Sequence, residues 1–552
     1  MAHGTKLQRS TRLQTRQFSQ HCMPVLLASA TAVLIAIPAF VEALWPVTWV
    51  ALVPLFLALR DASPGRAFLL GWWTETLSIW LGFYWLVGTM VRFGFIPVPF
   101  SLLFLGIIGM GNGVRLGLFA WCLRFRAVQH APWWHCLLLP ACTYVAFDYL
   151  FPRVFPWYLG FTQFPAKPLI QIADVTGIYG ITLLLVMCST VIVAWLPHPN
   201  QLARPARGLM SLVFSALFLL NIGYGMWRTH QVTRAMQQTP PLRLGIIQPN
   251  IGIFEKGKRG IRQEQLRLQV AMSEALLAQR PDLIIWPETM YPYAVSIDRQ
   301  QLFFPTPPDT GNAYWLMGAL TYETSPSTRR VFNSALLMAP DTRIVGRYDK
   351  QQLLAFGEYI PLQRYLPFLQ NISPTIGNLT PGTGGVLTLP HGPSIGTLIC
   401  YEDILPALGR RAVQQGAQLL VNFTNDAWFG ETRAPYLHRS LAAFRAIEHR
   451  VYLVRATNTG LTSIIDAVGR EQTALPLYQQ ESLVHPIQPL RLDTLYTRFG
   501  DWFAQLCSMV ALLLWLASWQ HMRVSERTRH SRRSEKRHNK TFSPPSRRGR
   551  AK

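Results

Sequence analysis

Eight apolar runs dominate this chain of 552 residues, and most are long enough to cross a lipid bilayer. A transmembrane helix needs about 20 predominantly apolar residues. The runs occupy residues 24–42, 46–60, 67–91, 98–123, 134–151, 178–197, 208–228 and 503–520. Half of all residues are apolar and only 14% are charged, a composition that favours a membrane protein. We therefore predict a membrane α-helical bundle with eight transmembrane helices.

Basic residues indicate which ends of the predicted spans face the cytoplasm. Lysine and arginine are concentrated before the first span and after the second, fourth and sixth spans, and cytoplasmic ends carry this excess. The first run has no convincing cleavage site and six more runs follow it before residue 230, so we interpret it as a span rather than a signal peptide. Both termini are then cytoplasmic, and the long segment before the eighth span lies outside the cytoplasm.

These assignments divide the chain into five parts. They are a basic cytoplasmic N-terminus (1–23), a seven-helix transmembrane domain (24–230), an extracytoplasmic domain (231–498), the eighth transmembrane helix (499–521) and a basic cytoplasmic tail (522–552). The tail carries 12 Lys or Arg and two Glu, a large share of the net charge of +24. Anionic lipid headgroups attract such a segment by about 1 kcal/mol per basic residue. We predict a disordered topology anchor, and no nucleic-acid partner, because no binding motif accompanies it.

The extracytoplasmic domain alternates short apolar runs of strand length with helical patterns. Strands are predicted at 242–247, 283–285, 314–318, 335–338, 395–400, 419–423 and 451–456, and helices at 263–279 and 435–449. This alternation predicts an α/β sandwich with buried sheets. The glycine-rich stretch 380–385 lacks a preceding strand and a following Lys-Ser or Lys-Thr, so we interpret it as a plain turn rather than a phosphate loop.

Cys400 is the only cysteine of this domain, so its thiol is free of any disulfide within the domain. The other six cysteines lie in or beside predicted spans, without a CxxC pair or a Cys/His cluster of zinc spacing. The sequence therefore predicts no metal and no cofactor. In Gly396-Thr-Leu-Ile-Cys400-Tyr-Glu-Asp the cysteine follows a predicted strand, a position that can expose a side chain at the end of a sheet.

Two other polar residues come near predicted strand ends. Glu288 closes the segment Leu283-Ile-Ile-Trp-Pro-Glu288, and Lys350 closes Gly346-Arg-Tyr-Asp-Lys350. Considered singly, such residues are more typical of a solvated turn carboxylate and a surface lysine. Cys400 by itself is more typical of a buried, inert thiol. Only their combination indicates a site.

In combination, the three segments resemble the nitrilase superfamily of carbon-nitrogen hydrolases. Trp-Pro-Glu288 comes first, then Tyr-Asp-Lys350 with Phe356-Gly-Glu358-Tyr-Ile-Pro, and then Ile-Cys400-Tyr-Glu-Asp. Members of that superfamily use a Glu-Lys-Cys triad on an α-β-β-α sandwich. The resemblance therefore implies a nitrilase-like α/β domain for residues 231–498.

Further motifs resemble one membrane-embedded branch of that superfamily, the apolipoprotein N-acyltransferase family. They are Asn425-Asp-Ala-Trp-Phe-Gly430, Arg445-Ala-Ile-Glu448, Arg455-Ala-Thr-Asn-Thr-Gly460, Phe155-Pro-Trp157 and Gly177-Ile-Tyr-Gly180. The count of eight spans is also similar, and the resemblance covers about residues 24–520. It implies a multi-pass protein of the cell inner membrane whose catalytic domain is periplasmic. Nothing in the sequence requires more than a monomer.

The resemblance also implies a role for each matched residue. Cys400 is expected to be the nucleophile, Glu288 the general base and Lys350 the cation beside the developing oxyanion. The charge of Lys350 is also expected to favour the thiolate form of Cys400. Supporting active-site residues are expected at Glu358, Tyr401 and Glu402.

The implied reaction moves a fatty acyl chain from a membrane phospholipid to an apolipoprotein. A thioester on Cys400 carries the chain, and the acceptor is the α-amine of an N-terminal diacylglyceryl-cysteine. The triad alone does not distinguish transfer from hydrolysis, so one alternative is a membrane-tethered amidase or nitrilase with a small carbon-nitrogen substrate. A second alternative is a transporter or scaffold with an inactive domain. Acids are scarce in the predicted spans, where Glu75 and Asp148 are the clearest, which offers little for a proton-coupled pathway.

Two positions depart from the family's pattern. Ala355 replaces the usual proline before Phe-Gly-Glu, a change expected to loosen that loop. Phe254 stands near the place of a tryptophan that lines the acyl pocket in relatives. Both changes bear on acyl-chain preference and lid behaviour rather than on the three chemical groups.

Overall fold

The computed structural model describes residues 22–124, 132–153, 155–199, 201–252, 254–255, 258–326, 328–355, 357–360, 365 and 379–520. The basic residues predicted for the N-terminus, the predicted basic tail and Phe356 lie outside these residues. The described part comprises helices up to residue 238, then two sheets with flanking helices, and a last long helix.

The membrane half consists of helices joined by short connections. A 3-10 helix, Glu42–Val50, lies between the first two α-helices. The α-helices described in this half are α1 (Cys22–Phe40), α2 (Val53–Leu59), α3 (Pro64–Gly82), α4 (Trp85–Gly94), α5 (Val98–Leu123), α6 (Trp133–Leu150), α7 (Lys167–Ile170), α8 (Ala173–Thr176), α9 (Tyr179–Trp195) and α10 (Arg204–Gln238). Proline at the first turn of α2, α3, α5 and α10 suits helix starts, where the missing N–H costs no hydrogen bond.

Among the described residues, five helical segments are long and apolar enough to cross a membrane. They are Cys22–Phe40, Glu42–Leu59, Val98–Leu123, Arg204–Gln238 and Trp502–Gln520. α9 is apolar but shorter, with 17 residues, whereas α3 and α6 carry Glu75 and Asp148. A helical membrane domain is thus supported, and the count of eight spans stays a prediction. The predicted span 67–91 is divided between α3 and α4, because Phe83 leaves helical geometry (φ −114°, ψ 21°).

The acids predicted to lie within spans are paired with arginines. Arg115 on α5 places Nη2 2.6 Å from Glu75 Oε2 and Nη1 2.7 Å from Asp148 Oδ1. Arg153 makes a further ion pair with Asp148. A buried charge is costly unless it is paired, so these contacts account for the acids structurally. They leave no support here for the transporter alternative.

The soluble half is built on two sheets. Its helices are α11 (Arg262–Leu276), α12 (Pro406–Gln414), α13 (Ala434–His449), α14 (Leu495–Phe499) and, returning to the membrane half, α15 (Trp502–Gln520). Its strands are β1 (Leu242–Gln248), β2 (Leu283–Trp286), β3 (Val295–Ser296), β4 (Tyr314–Thr324), β5 (Arg329–Met338), β6 (Ile344–Asp349), β7 (Val386–Thr388), β8 (Ser394–Ile399), β9 (Leu419–Thr424), β10 (Tyr452–Thr457), β11 (Ser463–Ile465), β12 (Glu471–Ala474) and β13 (Glu481–Ile487).

The two sheets mix parallel and antiparallel pairs. The first has the order β13-β1-β2-β4-β5-β6, with β3 also paired to β4, and the second has the order β12-β11-β10-β9-β8-β7. β1, β2 and β4 are mutually parallel, as are β8, β9 and β10. The carboxyl ends of neighbouring parallel strands meet at one edge of a sheet, where polar side chains that follow the strands can converge.

The sheets face each other across one apolar core, with helices outside both. Ile246 and Ile285 of the first sheet share a buried cluster with Val421 and Phe423 of the second. α11 covers the outer face of the first sheet through a cluster that includes Leu266. α12 and α13 cover the outer face of the second sheet. The predicted α-β-β-α layering is therefore present in the described residues.

The helix layer of α12 and α13 is also the contact surface with the membrane half. Phe444 of α13 packs edge-on against Phe161, with ring centroids 4.9 Å apart. Arg450, fully buried after α13, lies 3.0 Å from Asp174 of α8 and donates to Gln171 at 2.6 Å. Arg228 of α10 approaches the same Asp174 at 2.7 Å. Buried charges of this kind are costly unless they are paired, and these pairs join residues of the membrane half to residues of the soluble half. The two halves therefore share a specific interface.

Candidate active site

Cys400 occupies a sharp turn at the carboxyl end of β8. It begins a 3-10 helix, Cys400–Ile404, and its backbone has φ = 55°, a left-handed conformation that is uncommon for a residue other than glycine. Such a conformation costs about 1–3 kcal/mol and persists only when the surroundings enforce it. Asn422 of β9 contributes by donating its Nδ2–H to the Cys400 carbonyl at 2.8 Å. The thiol is therefore presented at a fixed point where the strand ends.

Glu288 follows β2 in the first sheet and is 7% exposed. Its turn lies directly against β4 at Gly318, where an added Cβ would stand 2.3 Å from the carbonyl oxygen of Pro287. Glycine is therefore required at this close approach. Tyr291 N–H donates to the Gly318 carbonyl at 2.9 Å, which fixes the path of the turn. Asn333 donates to Glu288 Oε1 at 2.8 Å.

Lys350 follows β6 and is 1% exposed. Its Nζ lies 2.7 Å from Glu358 Oε2 and 4.0 Å from Glu288 Oε1. Its carbonyl accepts from Gly382 N–H at 2.7 Å. Gly382 belongs to the stretch predicted to be a plain turn, and this contact shows that the stretch supports the site. The ammonium is therefore shared unequally between two carboxylates, with Glu358 the nearer.

The charges of these residues act on the Cys400 thiol in opposite directions. Burial raises the pKa of Cys400, the negative charge of Glu288 raises it further, and the positive charge of Lys350 lowers it only in part. Lys350 thus acts in the expected direction but does not make Cys400 a thiolate at rest. A neutral thiol needs a base that takes its proton during attack.

Lys350 remains an ammonium despite its burial. Desolvation lowers the pKa of Lys350, but the negative charges of its neighbours, Cys400 when ionised and the carboxylates Glu358 and Glu288, raise the pKa above its usual value. A permanent buried cation is suited to stabilising negative charge on a carbonyl oxygen.

The three predicted supporting residues surround this group. Glu402, fully buried, accepts from Ile399 N–H (2.8 Å), from Tyr348 OH (2.9 Å) and from the N–H groups of the two residues that follow Lys350 (2.8 and 2.9 Å). It therefore ties the end of β8 to the end of β6. Tyr401 lies with its ring centroid 5.8 Å from the Lys350 ammonium. Glu358 Oε2 accepts from Leu354 N–H at 2.9 Å.

Asn333 of β5 is a site residue that sequence reasoning missed. It is 3% exposed and donates from one Nδ2 to both carboxylates, at 2.8 Å to Glu288 and 3.0 Å to Glu358. The main-chain carbonyl of Asn333 also accepts from the main-chain N–H of Lys350 at 2.9 Å. The available signal was an amide close to the apolar run 335–338, since buried polar side chains are expected to have partners.

Replacing Asn333 with alanine is expected to slow acylation of Cys400 by about tenfold to a hundredfold, because a hydrogen bond to a charged group contributes about 1.5–3 kcal/mol. The measurement is the rate of thioester formation with a labelled phospholipid. Asn312→Ala, at an exposed turn position, is the matched control and should retain the full rate. An Asn333→Ala protein as fast as the control would contradict the role assigned to this amide.

The two departures from the family pattern lie in different surroundings. Ala355 forms an isolated bridge with Tyr359 in the loop that carries Glu358. Phe254 is 58% exposed and stacks on Phe93 near the end of α4, with ring centroids 5.7 Å apart. The expectation that Phe254 replaces a pocket tryptophan stays a prediction. Among the described residues, no group of three or more His, Cys, Asp or Glu side chains is arranged to hold a metal ion.

Comparisons with known proteins agree for both halves of the chain. Residues 243–493 match the carbon-nitrogen hydrolase family, and residues 29–191 match the apolipoprotein N-acyltransferase N-terminal domain. Among solved structures, the Saccharomyces cerevisiae nitrilase-superfamily protein Nit3 overlaps with a TM-score of 0.34 at 17% identity, over 45% of this chain and 90% of that chain.

Curated relatives extend over most of the sequence. The apolipoprotein N-acyltransferase of Geobacter metallireducens is 32% identical over 502 residues, which cover 87% of this chain and 92% of the relative. That of Brucella melitensis is 30% identical over 474 residues, covering 83% and 87% respectively. Identity of this extent spans the membrane half and the sandwich together. The chain therefore belongs to the apolipoprotein N-acyltransferase family.

Proposed function

We propose that this protein transfers a fatty acyl chain from a membrane phospholipid to the α-amino group of the diacylglyceryl-cysteine at the N-terminus of an apolipoprotein. This is the last step of lipoprotein maturation. Family membership over both halves of the chain supports the reaction. The observation that carries the mechanism is the convergence of Glu288 and the buried Lys350 ammonium on the Cys400 thiol at strand ends.

The first step forms a thioester on Cys400. Glu288 takes the thiol proton as the sulfur attacks the ester carbonyl of the phospholipid, since the thiol is neutral at rest. Negative charge then develops on the carbonyl oxygen, where Lys350 stabilises it by about 3–4 kcal/mol, the usual contribution of one positioned donor. When the tetrahedral intermediate collapses, the C–O bond breaks and Glu288 returns the proton to the leaving lysophospholipid oxygen.

The second step consumes the thioester. The α-amine of the apolipoprotein attacks the thioester carbonyl, and Glu288 accepts the proton that the amine loses. The C–S bond breaks, an amide forms, and the proton returns to the Cys400 sulfur. The enzyme alternates between two forms, so the kinetics are of the ping-pong type. No cofactor is needed for either step, because acyl groups move without a change in oxidation state.

The proposed location of the protein in a membrane follows from its two substrates, which are both lipids. Five apolar helices and the distribution of basic residues support an inner-membrane, multi-pass protein with eight spans, cytoplasmic termini and a periplasmic catalytic domain. We assign 24–230 and 499–521 to the membrane, 231–498 to the periplasm, and the basic ends 1–23 and 522–552 to the cytoplasm. The arrangement requires only a monomer.

Mass spectrometry of a lipoprotein N-terminus tests the function. After depletion of this protein, the N-terminal peptide is expected to lose one acyl chain and to expose a free α-amine. Restoring the wild-type protein should restore the chain. Unchanged lipidation, together with ammonia release from small amides by the purified protein, would instead favour the amidase alternative.

A further inference from the structure

A fully buried group of four charged side chains adjoins the nucleophile turn, and the reaction steps above do not use it. We call it the His438 cluster; it consists of Asp403, Asp426, His438 and Arg455. His438 Nε2 lies 2.8 Å from Asp403 Oδ1, and its Nδ1 lies 3.1 Å from Asp426 Oδ1. Arg455 lies 3.1 Å from Asp403 Oδ2 and 3.6 Å from Asp426 Oδ2. None of the four is more than 6% exposed.

The geometry identifies the charge on His438. A neutral imidazole has one N–H and can donate to one carboxylate only, whereas both ring nitrogens of His438 face carboxylate oxygens. An imidazolium satisfies both contacts, and with Arg455 it makes the cluster electrically neutral. The pKa of His438 agrees: burial lowers it and Arg455 opposes the charge, but Asp403 and both hydrogen bonds raise it above the usual value. The bond from His438 likewise helps to hold the pKa of Asp426 low, although burial opposes this.

The cluster joins the nucleophile turn to a segment that contacts the membrane half. Asp403 lies in the 3-10 helix Cys400–Ile404, and Asp426 begins the 3-10 helix Asp426–Phe429. In the second helix, the carbonyl of Trp428 accepts from Thr89 Oγ1 of α4 at 2.8 Å. Phe429 packs on Trp85 at the start of α4, with ring centroids 4.8 Å apart. His438 thus bonds to both 3-10 helices, and Arg455 makes ion pairs with the same two carboxylates.

We propose that protonated His438 is a positioning residue, which clamps the Cys400 turn to the α4-contacting segment Asp426–Phe429 and so holds the thiol in reach of Glu288 and Lys350. The proposal rests on the proposed function. His438 acts through Asp403 and not on the reacting atoms. As a consequence, deprotonation of His438 removes a connection between the membrane half and the nucleophile.

The pH dependence separates this role from simple packing. The pKa of His438 is raised in the folded protein, so the clamp is complete at low pH and is lost as pH rises through that raised pKa. The groups that face His438 are Asp403 from the nucleophile turn, Asp426 from the second 3-10 helix and Arg455 from β10, with the Phe429 ring edge-on at 6.0 Å.

The experiment measures single-turnover thioester formation on Cys400. Full-length protein in phospholipid nanodiscs is mixed with labelled phospholipid between about pH 6 and pH 10, and wild type is compared with His438→Gln. Taking the ratio of the two rates cancels the titration of Cys400 itself. We expect wild type to be about a hundredfold faster at the acidic end, the effect of misplacing a catalytic group by about 1 Å. The ratio should fall towards one at the alkaline end, where wild type has lost the same charge.

Two further variants keep the test decisive. His485→Gln, on the distant strand β13, should match wild type at every pH. Asp426→Asn preserves shape but removes one carboxylate from His438, so the loss of rate should move to lower pH than in wild type. It also serves as the test variant if His438→Gln does not show a cooperative thermal transition.

The outcomes distinguish this proposal from the function on which it rests. A wild-type protein that forms no thioester from phospholipid overturns the proposed function. If wild type forms the thioester but folded His438→Gln is equally fast, or slower by a factor that does not change with pH, the positioning role is overturned and the function stands. An unshifted pH profile in Asp426→Asn likewise overturns the clamp.

Discussion

Cys400→Ala protein will form no thioester with a labelled phospholipid and will not acylate an apolipoprotein. The effect is expected to be complete rather than partial, because no other group of the site can form the covalent intermediate that divides the reaction into two steps. The variant should still fold, since Cys400 is only partly buried in the core that it adjoins. The measurement is retention of label on denatured protein, followed by its release with neutral hydroxylamine, which cleaves thioesters.

Two controls make this result specific to the thiol. Cys22→Ala removes an exposed cysteine and should leave labelling unchanged. Cys400→Ser supplies a hydroxyl at the same point, so any label it acquires should be an oxygen ester that survives neutral hydroxylamine. A hydroxylamine-sensitive label on Cys400→Ala would locate the nucleophile elsewhere and remove the basis of the proposed mechanism.

Lys350→Met is expected to slow acylation by about a thousandfold, the upper part of the range for loss of one oxyanion donor. Methionine retains much of the length of lysine but not its charge. The loss has a second source, because Glu288 and Glu358 would then face each other across Asn333 without the ammonium that lies 4.0 and 2.7 Å from them. Neighbouring carboxylates repel each other when no cation lies between them, so Glu288 should be held less well in the position that a base requires.

The matched control for this prediction is Arg330→Met on β5, whose side chain is largely exposed and pairs loosely with Glu323 at 3.7 Å. An exposed pair of this kind contributes at most about 1 kcal/mol, and its loss should not change the acylation rate. Single-turnover rates for both variants, with thermal unfolding to verify folding, provide the measurement. A Lys350→Met protein within tenfold of wild type would exclude Lys350 as the stabilising cation.

Transfer rather than hydrolysis depends on features outside the triad. The helix layer of α12 and α13 packs directly on the membrane half through Phe444 and Phe161, and Arg450 bonds to Asp174 across the same interface. This arrangement brings the soluble domain against the surface from which a lipid would arrive. A lipid-lined cleft would also keep water from the thioester until the amine binds.

The strands that sequence reasoning identified are those whose pattern is local and apolar. β1, β2, β8, β9 and β10 were predicted within one or two residues. β4 and β5 were predicted too short, because their outer ends (Thr321–Thr324 in β4 is Thr-Tyr-Glu-Thr) are polar. β3, β7 and β11 were missed because they have only two or three residues. β6, β12 and β13 were missed because they alternate or lack a run of fully buried residues. Such strands are stabilised by pairing with neighbours, which a single run of residues does not reveal.

The candidate site likewise contains residues that local motifs indicate and residues that only distant contacts reveal. Glu288, Lys350 and Cys400 were predicted from the motifs around them, and their catalytic roles stay a proposal; the structure places Lys350 Nζ 4.0 Å from Glu288 Oε1. Asn333 and His438 were missed, because each acts on elements distant along the chain and neither lies in a distinctive motif. Lys350 lowers the pKa of Cys400 as expected, but burial and the charge of Glu288 raise it further, a balance that only the folded structure provides.

The amino-acid sequence alone determined that this protein is a membrane-embedded helical bundle carrying an α/β domain. Long apolar runs are stable as helices in a lipid bilayer, and short apolar runs that alternate with helical patterns are stable in water as sheets covered by helices. The sequence also predicted which thiol, carboxylate and amine carry the proposed chemistry. Only the tertiary structure decided which carboxylate is nearer to Lys350, that an asparagine bridges the two, and that His438 lies between Asp403 of the nucleophile turn and Asp426. These are contacts between residues far apart in sequence, and their strength depends on the exclusion of water, which exists only once the chain has folded.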